Sequence, residues 1–143
     1  MYRNILIATD GSKLATDAAR QGIALAKSLG SKVTVVKVTE PLFGYDANLP
    51  ADAQSGLVQA ARQEAKGILA GLAEAAKSAG VPCETINVEQ GPPYQAIIET
   101  AQAKSCDLIV MGSRGRSGVT AAVLGSHTMK VLTNSKIPVL VYR

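Results

Sequence analysis

Asp107-Leu108-Ile109-Val110-Met111 runs directly into Gly112-Ser113-Arg114-Gly115-Arg116-Ser117-Gly118, and this junction decides how the chain folds. Leu108 to Met111 shows no polar alternation, so both faces of the segment must be covered. A short apolar run bounded by turn residues reads as a fully buried strand. Downstream, Ser126 to Thr133 has the pattern of a short helix with Ser126 placed as its cap, and Pro138 to Tyr142 supplies another strand. Upstream, Arg3 to Thr9 reads Arg-Asn-Ile-Leu-Ile-Ala-Thr and stops at Asp10-Gly11-Ser12. A helix from Leu14 to Leu29 follows, with Leu14, Ala18, Leu25 and Leu29 on its apolar stripe and Gly30 as the stop. Val33 to Val38 is rich in valine and therefore β-favouring. From Gly56 to Ala79 the apolar residues Leu57, Ala61, Ala65, Ile68, Leu72, Ala75 and Ala79 step by threes and fours, a helical period closed by Gly80 and Pro82. Cys83 to Val88 makes a third strand. Gly91-Pro92-Pro93 opens a helix whose first turn tolerates proline and whose Ile97, Ile98 and Ala101 face inward. Strand and helix thus alternate to the end of the chain. The pattern predicts one α/β domain over residues 1–143, an open five-stranded parallel sheet with helices on both faces.

Composition narrows the possible functions. Aromatic residues make up 3% of the chain, with no Trp and one Phe, so the core must be aliphatic. The net charge of +4 comes from basic residues scattered along the sequence, without the basic stripe or interleaved aromatics that nucleic-acid binding favours. Cys83 and Cys106 match no metal-ligand spacing and are expected as buried thiols at strand starts. Met1 to Asp10 reaches a carboxylate too early to leave the apolar region of a signal peptide. No apolar run approaches the ~20 residues that span a bilayer. The expectation is a cytoplasmic protein with no nucleic-acid or membrane partner.

In an open parallel sheet, ligands bind beyond the carboxyl ends of the strands, where strand order reverses. Two predicted tips carry the chemistry for this: Ala8-Thr9-Asp10-Gly11-Ser12, and the loop after Met111. That loop has Gly112, then Gly115 after two residues, then Gly125-Ser126 after nine more. Glycines let a backbone approach a ligand closely and adopt positive φ, so that N–H groups can gather around an anion. The following helix start adds the positive end of its dipole. Arg114 and Arg116 either add charge to this phosphate cradle or stand as solvated surface groups. Asp10 either accepts hydrogen bonds from ribose hydroxyls or caps the helix that follows it. The sequence contains neither the Gly-x4-Gly-Lys-Ser/Thr of a P-loop nor a Gly-x-Gly-x-x-Gly after the first strand. The connection over residues 39–55 leaves the second strand's carboxyl end, as a lid or as a plain linker.

The Gly112-x2-Gly115-x9-Gly125-Ser126 spacing, Asp10 after an aliphatic first strand, and the ending Ile137-Pro138-Val139-Leu140-Val141 together resemble the ATP-binding branch of the universal stress protein family, over essentially the whole chain. The resemblance implies a Rossmann-like, adenine nucleotide alpha hydrolase-like sheet of order 3-2-1-4-5. It implies adenine near Ala8, Val38 and Met111, with Val38 offering backbone hydrogen bonds. Asp10, beside Thr9, would hold the ribose. Gly112, Arg114, Gly115, Gly125, Ser126, His127 and Thr128 would surround the phosphates of ATP, with Mg2+ carried on those phosphates if it is present. Arg114 stands where the family often has His, which touches fine ligand preference and leaves the glycine-serine frame intact.

Three functional classes follow. A regulatory module that binds ATP is favoured over a slow ATPase or phosphotransfer enzyme, because phosphoryl transfer needs a positioned nucleophile and charge stabilisation. No base for activating water is evident, and Ser126 and His127, as neighbours on a helix, do not face each other as a nucleophile and base would. A scaffold without nucleotide is the third class. An apolar fifth strand at a sheet edge also predicts a homodimer through Val139-Leu140-Val141-Tyr142.

Overall fold

The computed structural model describes residues 1–39, 50–114 and 124–143. Strands and helices alternate among them: β1 (Asn4–Thr9), α1 (Lys13–Leu29), β2 (Lys32–Val38), α2 (Ala51–Ser78), β3 (Cys83–Val88), α3 (Pro93–Ala103), β4 (Leu108–Gly112), α4 (Ser126–Asn134) and β5 (Val139–Tyr142). The strands form one parallel sheet of order β3-β2-β1-β4-β5, as the resemblance implied. Ile5 of β1 stands opposite Val33 on one side and Leu108 on the other, so β1 occupies the centre.

Alternation along the central strands builds two cores, one on each face of the sheet. Ile5, Ile7, Val33, Val35, Leu108 and Val110 face α1 and α2, where they meet Ile23, Leu69 and Leu72. Leu6, Ala8, Val36, Val38, Ile109 and Met111 face the other way, against Ile97 and Ala101 of α3 and Val131 of α4. Each fully buried Ile or Leu contributes about 1.5–3 kcal/mol. This two-sided burial is why β1 and β4 read as unbroken aliphatic runs. The edge strand β3 is half-exposed instead, and Cys83 is only partly buried where the sequence suggested a buried thiol.

Two helices depart from the sequence reading. The face of α1 that meets the sheet is built from Ala15, Ala18, Ala19, Gly22, Ile23 and Ala26, while Leu29 is 44% exposed and Leu25 only flanks the core. Small residues let the helix lie close to the strands. A Cβ on Gly22 would stand 3.0 Å from Ile7 Cδ1, which leaves the larger leucines to the sides. The other departure is the start of α2 at Ala51, after Pro50, rather than at Gly56. Its buried residues nevertheless begin at Ala65, so the first turns are held by helix geometry more than by the core. Of the connection over 39–55 read as a lid or a linker, residues 40–49 lie outside the described residues and 51–55 belong to α2.

At the amino ends of the strands the buried polar groups satisfy one another. Asp107 accepts from the Arg3 and Asn4 N–H groups at 2.9 and 3.2 Å. Asn4 Nδ2 donates to Lys104 O at 3.0 Å, and Thr34 Oγ1 donates to Asn4 Oδ1 at 3.2 Å. This network ties β1, β2 and the start of β4 together and leaves the opposite end of the sheet for function.

Candidate functional site

At the carboxyl end of β1 the chain turns through Asp10-Gly11-Ser12. Gly11 has φ 83°, a conformation that L side chains resist. Thr9 Oγ1 accepts from Gly11 N–H at 3.1 Å, and Asp10 Oδ1 accepts from Ser12 N–H at 2.9 Å. Ser12, not Asp10, is the cap of α1: its Oγ accepts from Ala15 N–H at 3.2 Å. The Asp10 carboxylate is therefore a turn-former that also lines the cleft beside it.

At the carboxyl end of β4 the backbone is stitched to its surroundings. Ser113 N–H donates to Tyr142 O and Gly125 N–H to Ser113 O, both at 2.7 Å. The buried Thr128 hydroxyl donates to Gly112 O at 2.9 Å. These bonds press the start of α4 onto the exit of β4. A Cβ on Gly125 would meet Arg114 Cα at 3.1 Å, and one on Gly112 would meet Leu14 Cγ and Arg114 O at 3.4 Å. Neither glycine has positive φ, contrary to the sequence expectation; what they permit is close approach. Ser126 is likewise not the cap of α4. Gly125 holds that position, with φ −64° and ψ 155°, and no side chain caps the helix. Ser126 becomes the first helical residue and is exposed. A helix leaves the amide groups of its first turn without intrahelical acceptors, and here that turn opens on the cleft.

The cleft has a volume of about 590 Å³, within the usual range for small-molecule sites. Its lining includes Ala8, Thr9, Asp10, Val38, Met111, Gly112, Arg114, Gly125, Ser126, His127 and Thr128, which are all the described residues that the sequence singled out. Gly115 and Arg116 lie outside the described residues. Sequence reasoning missed Ala15, Val36, Lys37, Thr39, Ala61, Glu64, Pro93 and Ile97. Val36 could have been found, since it shares a strand face with Val38. Lys37 carried a signal too, as a charged residue inside a valine run. Ala61 and Glu64 reach the cleft from α2, which only the tertiary packing reveals.

Lys37 is 8% exposed, and its Nζ donates to Val38 O at 3.1 Å. Arg62 pairs with Glu89 at 2.9 and 3.1 Å, linking α2 to the residue after β3. The hydrogen bond from Arg62 holds the Glu89 carboxyl below its ordinary value, and the pair raises the guanidinium in turn. Burial pushes the Cys83 and Cys106 thiols upward. Among the described residues no group of three or more His, Cys, Asp and Glu is arranged to hold a metal ion. No helix among them is long and apolar enough to cross a membrane.

The model of the universal stress protein family matches residues 1–143. The chain belongs to that family. It is 34% identical to the universal stress protein MJ0531 of Methanocaldococcus jannaschii over 146 aligned positions, covering all of this chain and 83% of the relative. The solved structure of universal stress protein UspA from Lactobacillus plantarum superposes with a TM-score of 0.86 at 25% identity, covering 99% of this chain and 98% of that one. A universal stress protein solved in complex with cAMP matches with a TM-score of 0.74 at 27% identity, over 99% and 97% of the two chains. Shared architecture at these levels makes the cleft of this universal stress protein the first place to look for a ligand.

Proposed function

We propose that this universal stress protein is a cytoplasmic regulatory module that binds an adenine nucleotide, ATP, in the cleft at the tips of β1 and β4. The observation that carries the reading is the meeting, in one cleft, of an apolar slot, the Asp10 carboxylate and the first turn of α4. A purine needs apolar surface for its faces, which Ala8, Val38 and Met111 offer. A ribose needs an acceptor for its hydroxyls, and Asp10 with Thr9 is the acidic rim. Phosphates favour backbone amides at a helix N-terminus. Gly112, Gly125 and Ser126 fit that need, because Cβ atoms at the two glycines would crowd the frame. Arg114 and His127 border the same region, and Gly115 belongs to this proposed cradle by sequence. Thr128 contributes through its N–H, since its hydroxyl is committed to Gly112 O. Mg2+ would be carried on the phosphates rather than by a carboxylate cluster. A relative solved with cAMP supports an adenine ligand for the fold.

Binding is preferred to turnover because, among the described residues, Ser126 and His127 are neighbours on one helix and do not face each other as a nucleophile and base would. We also propose a homodimer through β5, an edge strand whose Leu140 is 41% exposed.

The test is titration calorimetry with ATP, AMP and cAMP on protein stripped of nucleotide. Saturable ATP binding that Gly125→Val abolishes, with the melting transition retained, supports the reading. Absence of binding by all three nucleotides overturns it and leaves a scaffold. For the dimer, sedimentation at micromolar concentration should give a two-chain mass that Leu140→Lys halves. A monomer in the native protein removes that part of the proposal.

A further inference from the structure

The two halves of α2 are held differently. Its buried residues, Ala65, Leu69, Leu72 and Ala76, all belong to the carboxyl half, where they join the core over β2 and β3. Residues 51–64 contain no buried side chain. The inward stripe continues there as Ala61, Val58 and Gln54, each half-buried, at the helical step of three and four. Arg62 pairs with Glu89 across the surface, and pairs exposed in this way are weak ties.

The amino half is also poorly favoured by its own sequence. It opens after Pro50 without a side-chain cap and carries Gly56 in its interior. An added Cβ at Gly56 would meet nothing within 4 Å, so this glycine serves no close packing and weakens the helix relative to alanine. A helical stretch of this length is marginal in water unless a tertiary surface supports it. The cleft offers that surface. Ala61 and Glu64 line it from α2, beside Lys37 and Thr39 at the end of β2. A nucleotide with its phosphates at the first turn of α4 and its base on Ala8, Val36 and Val38 extends toward this wall and gives the inner stripe of α2 something to pack on.

We propose that the amino half of α2, residues 51–64, is a ligand-ordered element: a filled cleft holds it in the helix, and an empty cleft releases it. The proposal rests on the nucleotide-binding reading and adds the means by which occupancy is displayed at the protein surface. A ligand shifts such an equilibrium only through a difference in affinity for the two states. Contact with Ala61, made when the helix is in place and lost when it is not, supplies that difference.

The test is hydrogen exchange by mass spectrometry on protein stripped of nucleotide, with and without saturating ATP, and calorimetry on the same samples. The stripped protein is expected to exchange the amides of 55–62 about tenfold faster than those of 69–76, and ATP to slow 55–62 about tenfold. Gly56→Ala and Gly71→Ala form the second arm. Both glycines are exposed on α2 with open space at the Cβ position, so alanine favours the helix about fivefold at either. Gly56→Ala is expected to bind ATP about two- to fivefold more tightly, because it raises the fraction of molecules with this wall of the cleft in place. Gly71→Ala, in the packed half, is expected to raise the melting temperature and leave ATP affinity native. Equal exchange in the two halves of the stripped protein overturns the proposal, and so does exchange over 55–62 that bound ATP leaves unchanged. An ATP affinity that shifts alike in both variants, or in neither, overturns it as well. In each of these cases ATP binding itself still stands. If calorimetry finds no ATP binding by the native protein, the underlying reading falls and this proposal with it.

Discussion

Replacing Gly125 by alanine isolates the close approach that joins β4 to α4. The backbone there, φ −64° and ψ 155°, suits any residue, so alanine carries no conformational penalty. By restricting the unfolded chain it even gains about 0.4–1 kcal/mol. Against this stands the new Cβ, 3.1 Å from Arg114 Cα and 3.5 Å from Ser113 O. Both are backbone atoms, which cannot rotate away as a side-chain end could. Overpacking of this kind costs about 1–3 kcal/mol. The net is a loss of about 1 kcal/mol, or a Tm lower by about 3 °C for a chain of this size. Relief requires the first turn of α4 to move by a few tenths of an ångström, stretching the 2.7 Å bond from Gly125 N–H to Ser113 O. On the proposed reading the donors of that turn then miss the phosphate, and ATP affinity should fall about tenfold, given that a full ångström can cost a hundredfold. Gly30→Ala is the control. Gly30 has φ 67° and open space around it, so alanine costs about 1 kcal/mol through the backbone alone, at the end of α1 remote from the cleft. Calorimetry and thermal melts on the two variants separate the effects. Equal Tm losses with affinity lost only in Gly125→Ala are expected. Native ATP affinity in Gly125→Ala, or equal affinity loss in both, would refute the reasoning.

Thr128→Val keeps the shape but removes the donor to Gly112 O, so urea denaturation should show about 1–2 kcal/mol lost; Thr128→Ser should recover most of it. Arg62→Gln should raise the Glu89 titration midpoint measured by carbon NMR, and high salt should move the native value the same way. The folded carboxyl titrates below its unfolded value of about 4.3, so this pair's contribution is present above that pH and fades as pH falls through the folded midpoint. Identical midpoints in native protein and variant would remove the pair. Iodoacetamide near neutral pH should label the half-buried Cys83 first and Cys106, 5% exposed, only on unfolding, since burial raises both thiols; equal rates in native protein would contradict that burial.

The buried strands were legible because two-sided burial leaves a one-dimensional trace: β1 and β4 are aliphatic through their interiors, and the observed bounds differ from the expected ones by one residue at the start of β1 and one at each end of β4. Helix faces were less legible. In α1 the leucines outweigh the alanines in hydrophobicity, yet close packing against Ile7 favours the smaller residues, so of the stripe read from Leu14, Ala18, Leu25 and Leu29 only Ala18 is fully buried. The start of α2 at Ala51 was hidden for a related reason. Its first turns bury little, and apolar periodicity is silent where there is no core to face. At the site, glycine spacing found the right positions for a partly wrong reason, close approach having replaced positive φ at Gly112 and Gly125.

The location of the cleft follows from how the connections leave the sheet. β1 is central, with β2 on one side and β4 on the other. The chain leaving β1 enters α1, which packs with α2 on one face; the chain leaving β4 leads to α4, which packs with α3 on the opposite face. Two adjacent strand tips whose exits diverge to opposite faces cannot fill the space between them, so a crevice opens there. Side chains on the alternate faces of β2 then bound it differently. Val36 and Val38 continue the aliphatic floor on the α3 side, while Lys37, one residue between them, comes from the α1 and α2 side and brings a charge to the rim. One strand therefore presents both characters to the cleft, aliphatic from one face and charged from the other, so the strand's alternation sets the chemistry of this end of the crevice.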